Sequence, residues 1–311
     1  MVHNRQLAAW VCASAALCLA HSAGRLSWFV AAAVIAGMSG ILLYIMYALP
    51  AGGIAEACFC ALGQRGGRIL LLLCVAWTAL MAGFAAALTA EAFPMVQAYP
   101  AVPLTVLLLS GWAGQKGRAV GARVSALVLP FLAAFFALIV CFGWSEVKPQ
   151  HWRQVEFDLR AVCVLLLPLG AAQLSRGEGR LHPWRWIAAL CAAATALSLV
   201  ALPWDGLYRA VMSISVFGVM ERFEALLCAS MAVSGVCLCM LLSNAGLGLV
   251  CHAIRNRKET AQTLFWVLCL TGLALTDRQN THLLLLGDLI FWVLIPVITQ
   301  WVAKTKKVEK R

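Results

Sequence analysis

Few residues in this chain could do chemistry, because long stretches carry no charged side chain. Asp288 is the one charged residue within residues 283–303, and an ionisable group inside an apolar run marks a functional site by default. It could carry a proton or coordinate an ion. Alternatively, it lies at the water interface beside Arg278 and has no such role.

A mixed-charge cluster of Glu221, Arg222 and Glu224 precedes a long uncharged stretch, residues 225–253. The cluster could form an outer gate or a face that docks a partner. At a wet surface it would instead be a local ion pair, which contributes ~0–1 kcal/mol. The stretch itself is rich in Gly, Ala and Ser, which let helices approach closely in lipid, so we expect it to be buried among other helices.

A Pro-Leu-Gly sequence interrupts the short apolar run 161–174. Pro168 has no amide hydrogen to donate and Gly170 tolerates non-helical angles, so the backbone here could unwind and expose polar groups to a ligand at mid-membrane. Gln173, one helical turn later, could add a polar contact. The alternative is a proline kink that binds nothing.

Residue arrangements typical of enzymes are not found in the sequence. There is no Ser/His/Asp or Cys/His pattern at informative spacing, no HExxH and no phosphate-binding glycine loop. Most of the 13 cysteines lie in apolar runs, and neither Cys58-Phe-Cys60 nor Cys237-Leu-Cys239 has the spacing of a redox or metal site. We therefore expect no enzyme activity, metal or cofactor, and we expect His21 to be a solvated interfacial histidine.

The composition requires a membrane environment for these residues, since 63% of the chain is hydrophobic and 12% is charged. The net charge of +11 arises from basic residues in short loops and is no sign of nucleic-acid binding. Ten apolar runs are candidate spans: 6–23, 28–49, 69–90, 102–113, 124–144, 161–174, 186–203, 225–250, 263–275 and 283–303. Residues 51–67 and 205–219 are too interrupted to span and are expected at the surface.

The tryptophans mostly fall near the ends of these runs, where interfacial anchors are found. We assign that role, and no ligand contact, to Trp10, Trp77, Trp112, Trp144, Trp186, Trp204, Trp292 and Trp301.

Basic residues are distributed unevenly between the two sides of the ten runs. With the N-terminus inside, seventeen fall in inner segments and six in outer ones. The outer six are Arg25, Lys148, Arg153, Arg160, Arg209 and Arg278. Because cytoplasmic loops carry the excess of Lys and Arg, this bias predicts a multi-pass protein with both termini in the cytoplasm.

The lengths of the runs suggest two halves of five spans each, about 1–145 and 146–311, in a single transmembrane domain. Runs one and six are short, and so are runs four and nine. Paired short segments at equivalent positions point to a central binding site in an inverted repeat. The expected fold is all-α, with a LeuT-like 5+5 inverted repeat, and Gly83 and Ser234 are expected to line the site from runs three and eight.

Several stretches share the pattern of one permease family. Gln6 opens the first run, while Trp28 opens the second and Pro50 closes it. The others are EACFCALGQRGGRILLLL, VPLTVLLLSGWAGQKGRAVGAR, MERFEALL and IPVITQWVAKTKKVEK. Together they resemble the B-subunit permeases of spore germinant receptors (GerAB type), within the amino acid/polyamine/organocation superfamily, over nearly the whole chain.

This resemblance implies a subunit of the spore inner membrane that senses a small nutrient, with an amino acid as the expected germinant, and triggers germination. It also implies A-type and C-type receptor subunits as partners. Two alternatives stay open. One is an amino acid transporter driven by H⁺ or Na⁺, and the other is a diverged scaffold subunit that binds no ligand.

Overall fold

The structure is a computed structural model that describes residues 4–48, 53–91, 101–148, 150, 156–174, 183–204, 206–213, 223–254, 258–275 and 281–308. Within these residues the chain is helical and forms no strand. The helices are α1 (Asn4–Ser22), α2 (Trp28–Ala48), α3 (Gly53–Glu91), α4 (Ala101–Gln115), α5 (Arg118–Gly143), α6 (Leu159–Leu174), α7 (Pro183–Ala201), α8 (Leu207–Ser213), α9 (Phe223–Ala253), α10 (Lys258–Ala274), α11 (Thr281–Leu289) and α12 (Ile295–Val308). A π-helical turn, Ile290–Leu294, joins α11 to α12.

Each predicted apolar run is occupied by one helix, or in the last case by α11 and α12 in line. Helices α6, α4 and α10 are short, with 16, 15 and 17 residues, whereas α1 has 19 residues, the same length as α7. The predicted surface segment 51–67 is helical from Gly53 onward and forms the start of α3, which bends at Gly63, where φ is 72°. The segment 205–219 contains the short helix α8, and residues 205 and 214–219 lie outside the described part.

In the described part of the chain, five helical segments are long and apolar enough to cross a membrane: Gly53–Glu91, Arg118–Gly143, Trp184–Trp204, Phe223–Ala253 and Thr281–Ala303. Four more apolar helices are shorter, at Trp28–Ile41, Ala101–Gly114, Leu159–Ala172 and Gln262–Ala274. The chain is therefore a membrane-embedded helical protein, and the count of ten spans stays a prediction.

The outward faces of the helices are apolar. Leu108, Leu127 and Phe131 expose 72–77% of their surface, and Trp184 and Trp301 are similarly exposed. An apolar surface of this kind suits hydrocarbon rather than water, which agrees with the membrane assignment.

The long helix α9 lies at the centre of the bundle, packed along α3 and against α1, α4 and α6. Its small residues make this possible: a Cβ added at Gly235 would overlap Thr89 of α3, and one at Gly246 would overlap Phe265 of α10. The prediction that this helix is buried among others is confirmed. Elsewhere α1 packs on α6, and α2 packs on α7.

At one end of the bundle, three connections meet and form a cap. Gly24, with φ of 80°, brings the α1–α2 turn so close to Gly206 that an added Cβ would lie 2.6 Å from the Gly206 nitrogen. The amide of Ser27 donates a hydrogen bond of 3.0 Å to the carbonyl of Glu156, a residue just before the start of α6. The cap fixes the ends of α1, α6 and α8 relative to one another.

Candidate functional site

A pocket of about 430 Å³ lies beneath this cap, where α1 and α3 end and α8 and α9 begin. Its apolar wall is formed by residues such as Leu17, Leu88, Leu227 and Met231. Its polar lining residues are His21, Arg25, Glu91, Tyr208 and Arg209. The pocket thus combines basic and acidic side chains with an apolar wall, which is the usual make-up of a small-molecule site.

Glu91, the last residue of α3, is the centre of an ionic network at the pocket. One carboxylate oxygen, Oε1, accepts a short hydrogen bond from Nη2 of Arg160 on α6. The other, Oε2, lies 3.7 Å from Nδ1 of His21. The Arg160 backbone is itself fixed, because its amide donates to the Asp158 carboxylate at 2.8 Å.

His21 is held between a cation and an anion, and it is not the solvated interfacial histidine that the sequence suggested. Nη1 of Arg25 lies 3.1 Å from Nε2 of His21, and the imidazole is only 9% exposed. Since arginine can only donate, Nε2 must accept, and the ring proton is therefore assigned to Nδ1, facing Glu91. The order Arg25–His21–Glu91–Arg160 carries two positive charges and one negative charge.

Glu224 lies next to this pocket, in the first turn of α9. Burial together with the nearby Glu224 carboxylate raises the pKa of the Tyr208 phenol on α8, which lines the pocket. The other two members of the predicted gate, Glu221 and Arg222, lie outside the described residues, so a role for the cluster as a whole stays a prediction.

Ser234, predicted to line a ligand site, contacts the backbone of α1 directly below the pocket. Its hydroxyl accepts a hydrogen bond from the amide of Leu17 at 2.7 Å and donates to the carbonyl of Ala13 at 2.6 Å. Leu17 lines the pocket, so Ser234 supports the pocket wall.

The predicted unwinding of the sixth run is wrong for this structure, since α6 stays helical through Pro168 and Gly170. A Cβ at Gly170 would overlap the indole of Trp292, which follows α11. The bulky ring occupies the side that Gly170 leaves open, and this packing replaces an exposed backbone. The side chain of Gln173 lies outside the described residues.

Gly83 also lies at a contact between two helices. A Cβ there would overlap the backbone of α10 at Cys269 and Leu273, while one at Gly272 would overlap Leu80 of α3. The predicted ligand residues Gly83, Gly170 and Ser234 therefore lie at three different helix contacts, and the structure does not bring them together around one cavity. Ligand binding by these residues stays an untested prediction.

Asp288 is 1% exposed, which does not fit the interpretation that placed it at a wet interface. Its Oδ1 accepts a hydrogen bond from Nε1 of Trp77 at 3.0 Å, and its Oδ2 has no partner among the described residues. Trp77 stacks on Phe291, with ring centroids 5.4 Å apart.

Three of the tryptophans assigned to the interface are wrong for that role. Trp10 and Trp292 are each 1% exposed, and Trp77 is hydrogen-bonded to Asp288. Trp112 and Trp301, by contrast, are largely exposed, as anchors would be.

Sequence reasoning missed Glu91, Arg160 and Arg25 as site residues. A signal was present, because opposite charges flank runs that end or begin on the same predicted side of the membrane. Their pairing across about seventy residues of chain, however, depends on the tertiary packing of α3 beside α6.

No protein-family model matches the chain, and a search of curated proteins finds no relative.

Proposed function

We propose that the protein is the B-type membrane subunit of a spore germinant receptor and that the capped pocket binds its nutrient ligand. The resemblance in sequence suggests the family, and one observation carries the location. A pocket of about 430 Å³ combines Arg25, Arg209 and Glu91 with an apolar wall at one end of the bundle. Under the predicted topology, this end faces away from the cytoplasm, where a nutrient arrives.

The lining favours an amino acid as the ligand. A carboxylate is recognised by arginine through paired, charge-assisted hydrogen bonds, and Arg25 and Arg209 both line the pocket. Glu91 supplies a negative charge for an ammonium group, and Leu227 and Met231 supply an apolar surface for a side chain. The volume is within the range of small-ligand pockets.

A route from this pocket to the rest of the bundle runs through α1. Ligand contact with Leu17 acts on the same backbone segment that Ser234 of α9 holds by two hydrogen bonds. We propose that binding shifts α1 against α9, and that A-type and C-type subunits detect the change.

The packing of the helices supports a LeuT-like inverted repeat as part of this proposal. Exchanging the two halves maps the α1–α5 contact onto the α6–α11 contact, and both are present. The same exchange maps the α4–α9 contact onto the α10–α3 contact, and both are extensive. In this arrangement α8 is an addition outside the ten spans.

Spores that carry Arg25→Gln test the proposal, with Arg123→Gln as the matched control, because Arg123 is an exposed arginine of α5 outside the pocket. We expect Arg25→Gln to raise the nutrient concentration for half-maximal germination by about tenfold or more, because one charged hydrogen bond to the ligand is lost. The control should respond normally. An unchanged dose response in Arg25→Gln spores that contain normal amounts of the protein would refute the site.

A second candidate, an amino acid transporter driven by H⁺ or Na⁺, is favoured by the buried Asp288 inside the last candidate span. Uptake of radiolabelled amino acid into proteoliposomes, driven by an imposed ion gradient, separates the two functions. Uptake abolished by Asp288→Asn would favour the transporter, while binding without uptake would favour the receptor.

A further inference from the structure

The carboxyl group of Asp288 is buried with only one of its two oxygens hydrogen-bonded. It belongs to the candidate span Thr281–Ala303, yet it is 1% exposed and so faces protein rather than lipid. Trp77 donates to Oδ1, while Oδ2 has no hydrogen-bond partner in the part of the chain that the structure describes. The hydrogen-bonding capacity of Oδ2 is therefore unused among the described residues.

No compensating charge faces Asp288 in the part of the chain that the structure describes. Among the described residues, α3 presents the neutral Trp77, and α6 presents the thiol of Cys163, the titratable group that interacts with the carboxyl. On its own helix, Gly287 packs under the Trp77 ring and Phe291 stacks on it. Burial of an unpaired carboxylate in such a place is strongly unfavourable.

A metal ion does not suit this position. Hard cations take about six or more oxygen ligands, and no group of three or more His, Cys, Asp or Glu side chains is placed to hold a metal in the described residues. A proton needs only Oδ2. Once the proton is bound, the carboxyl is neutral and still accepts the hydrogen bond from Trp77 at Oδ1.

A second polar side chain, close in sequence to Asp288, is also unpartnered among the described residues. Nε1 of Trp292 is buried without an acceptor among the described residues, four positions after Asp288 and in the π-helical turn. Residues four apart share one side of a helix, and π-helical turns occur frequently at functional sites. Water that reached this part of α11 and the π-helical turn could form hydrogen bonds with both groups.

We propose that Asp288 is an exchangeable proton site and that its proton keeps α11 seated on α3 and α6. In the closed state Oδ2 carries the proton. When α11 and the π-helical turn move away from α6, water enters, accepts the proton and solvates the carboxylate. Closure requires the proton to return to Oδ2. The protein thereby exchanges one proton with water each time this contact opens and closes.

Infrared difference spectroscopy on the purified full-length protein in lipid nanodiscs tests the proposal without any ligand or partner. A protonated carboxyl has a C=O stretching band that an ionised carboxylate lacks. At neutral pH we expect such a band in the wild type and in Glu259→Gln, whose altered carboxyl is exposed on α10, but not in Asp288→Asn. Trp77→Phe should shift the band to higher frequency, because the carbonyl loses its donor.

The exchangeable character is tested by raising the pH. The band should disappear at alkaline pH while circular dichroism still reports the full helix content. Identical spectra of wild type and Asp288→Asn at neutral pH would overturn the proton site, and a band that persists at alkaline pH in the folded protein would overturn exchange. If Asp288→Asn fails to fold, Asp288→Glu replaces it, and the band should then move in frequency.

Discussion

The hydroxyl of Ser234 on α9 lies within hydrogen-bonding distance of the Leu17 amide on α1, at 2.7 Å, and also contacts the Ala13 carbonyl. Leu17 and Ala13 are four residues apart, so they are the donor and acceptor of one step in the helical hydrogen-bond ladder. A side chain inserted at such a step is a known cause of helix bending. Helix α1 contains neither proline nor glycine, and this contact gives it a weak point supplied by another helix.

Replacing Ser234 by alanine should remove this weak point. We expect Ser234→Ala to lower the free energy of unfolding by about 1–2 kcal/mol, because buried hydrogen bonds are lost. The variant should also weaken the response to ligand, because Leu17 lines the pocket. Thermal unfolding in detergent measures the first effect and the germination dose response the second. Ser230→Ala, one turn earlier and half-buried, is the control. Equal behaviour of the two variants would contradict the inserted-hydroxyl interpretation.

Gly170→Ala should destabilise the protein through the indole of Trp292. The added methyl group would overlap the ring, and overpacking of this kind costs about 1–3 kcal/mol. Gly37→Ala on the exposed face of α2, where an added Cβ meets nothing within 4 Å, should be neutral or stabilising. Combining Gly170→Ala with Trp292→Leu should restore part of the lost stability. If thermal unfolding of Gly170→Ala matches wild type, the indole does not lie on Gly170.

Glu91→Gln should impair function far more than stability. The ion pair with Arg160 is about one-third exposed on both sides, so its loss costs about 1 kcal/mol or less. The variant nevertheless removes the negative charge between His21 and Arg160, and we expect the half-maximal nutrient concentration to rise by about tenfold or more. Glu259→Gln is the control for charge alone. A large fall in the unfolding temperature with an unchanged dose response would reverse this assignment.

The predicted topology can be tested by cysteine-accessibility labelling in a background that lacks the 13 native cysteines. Cysteines placed at Arg180 and Arg257 should be labelled from the cytoplasm, and those at Val96 and Arg153 from outside. Labelling of the Arg257 position from outside would contradict the predicted ten-span topology. The fold adds an internal check, because Arg25 and Glu91 line the same pocket, so these two positions must share one side.

The helices could be predicted from sequence because uncharged runs are a strong signal in a chain of this composition. Positions such as Ser234 were recognisable as small residues at helix contacts. Lipid supplies no hydrophobic drive between helices, so their association depends on close approach, which small residues allow. The partner of each contact could not be predicted. Nothing in the local sequence of Gly170 shows that a tryptophan more than one hundred residues later occupies the space beside it.

The charged site was hidden for a related reason. Glu91 and Arg160 each appear in the sequence as an ordinary flanking charge at the end of an apolar run. They become a site only because the end of α3 lies beside the start of α6 in the bundle. Asp288 was recognised from its isolation in an apolar run, but its burial depends on the donor Trp77 from α3.

The π-helical turn Ile290–Leu294 changes which face of the last helical segment points into the bundle. Before it, Leu284 and Asp288 face the bundle, and after it Thr299 and Gln300 do so. Because each residue turns an α-helix by about 100°, the wider turn resets which face points inward. Deleting one residue from the turn would leave the apolar composition intact, yet it would rotate Thr299 and Gln300 toward lipid. This part of the chain should therefore tolerate substitutions far better than insertions or deletions.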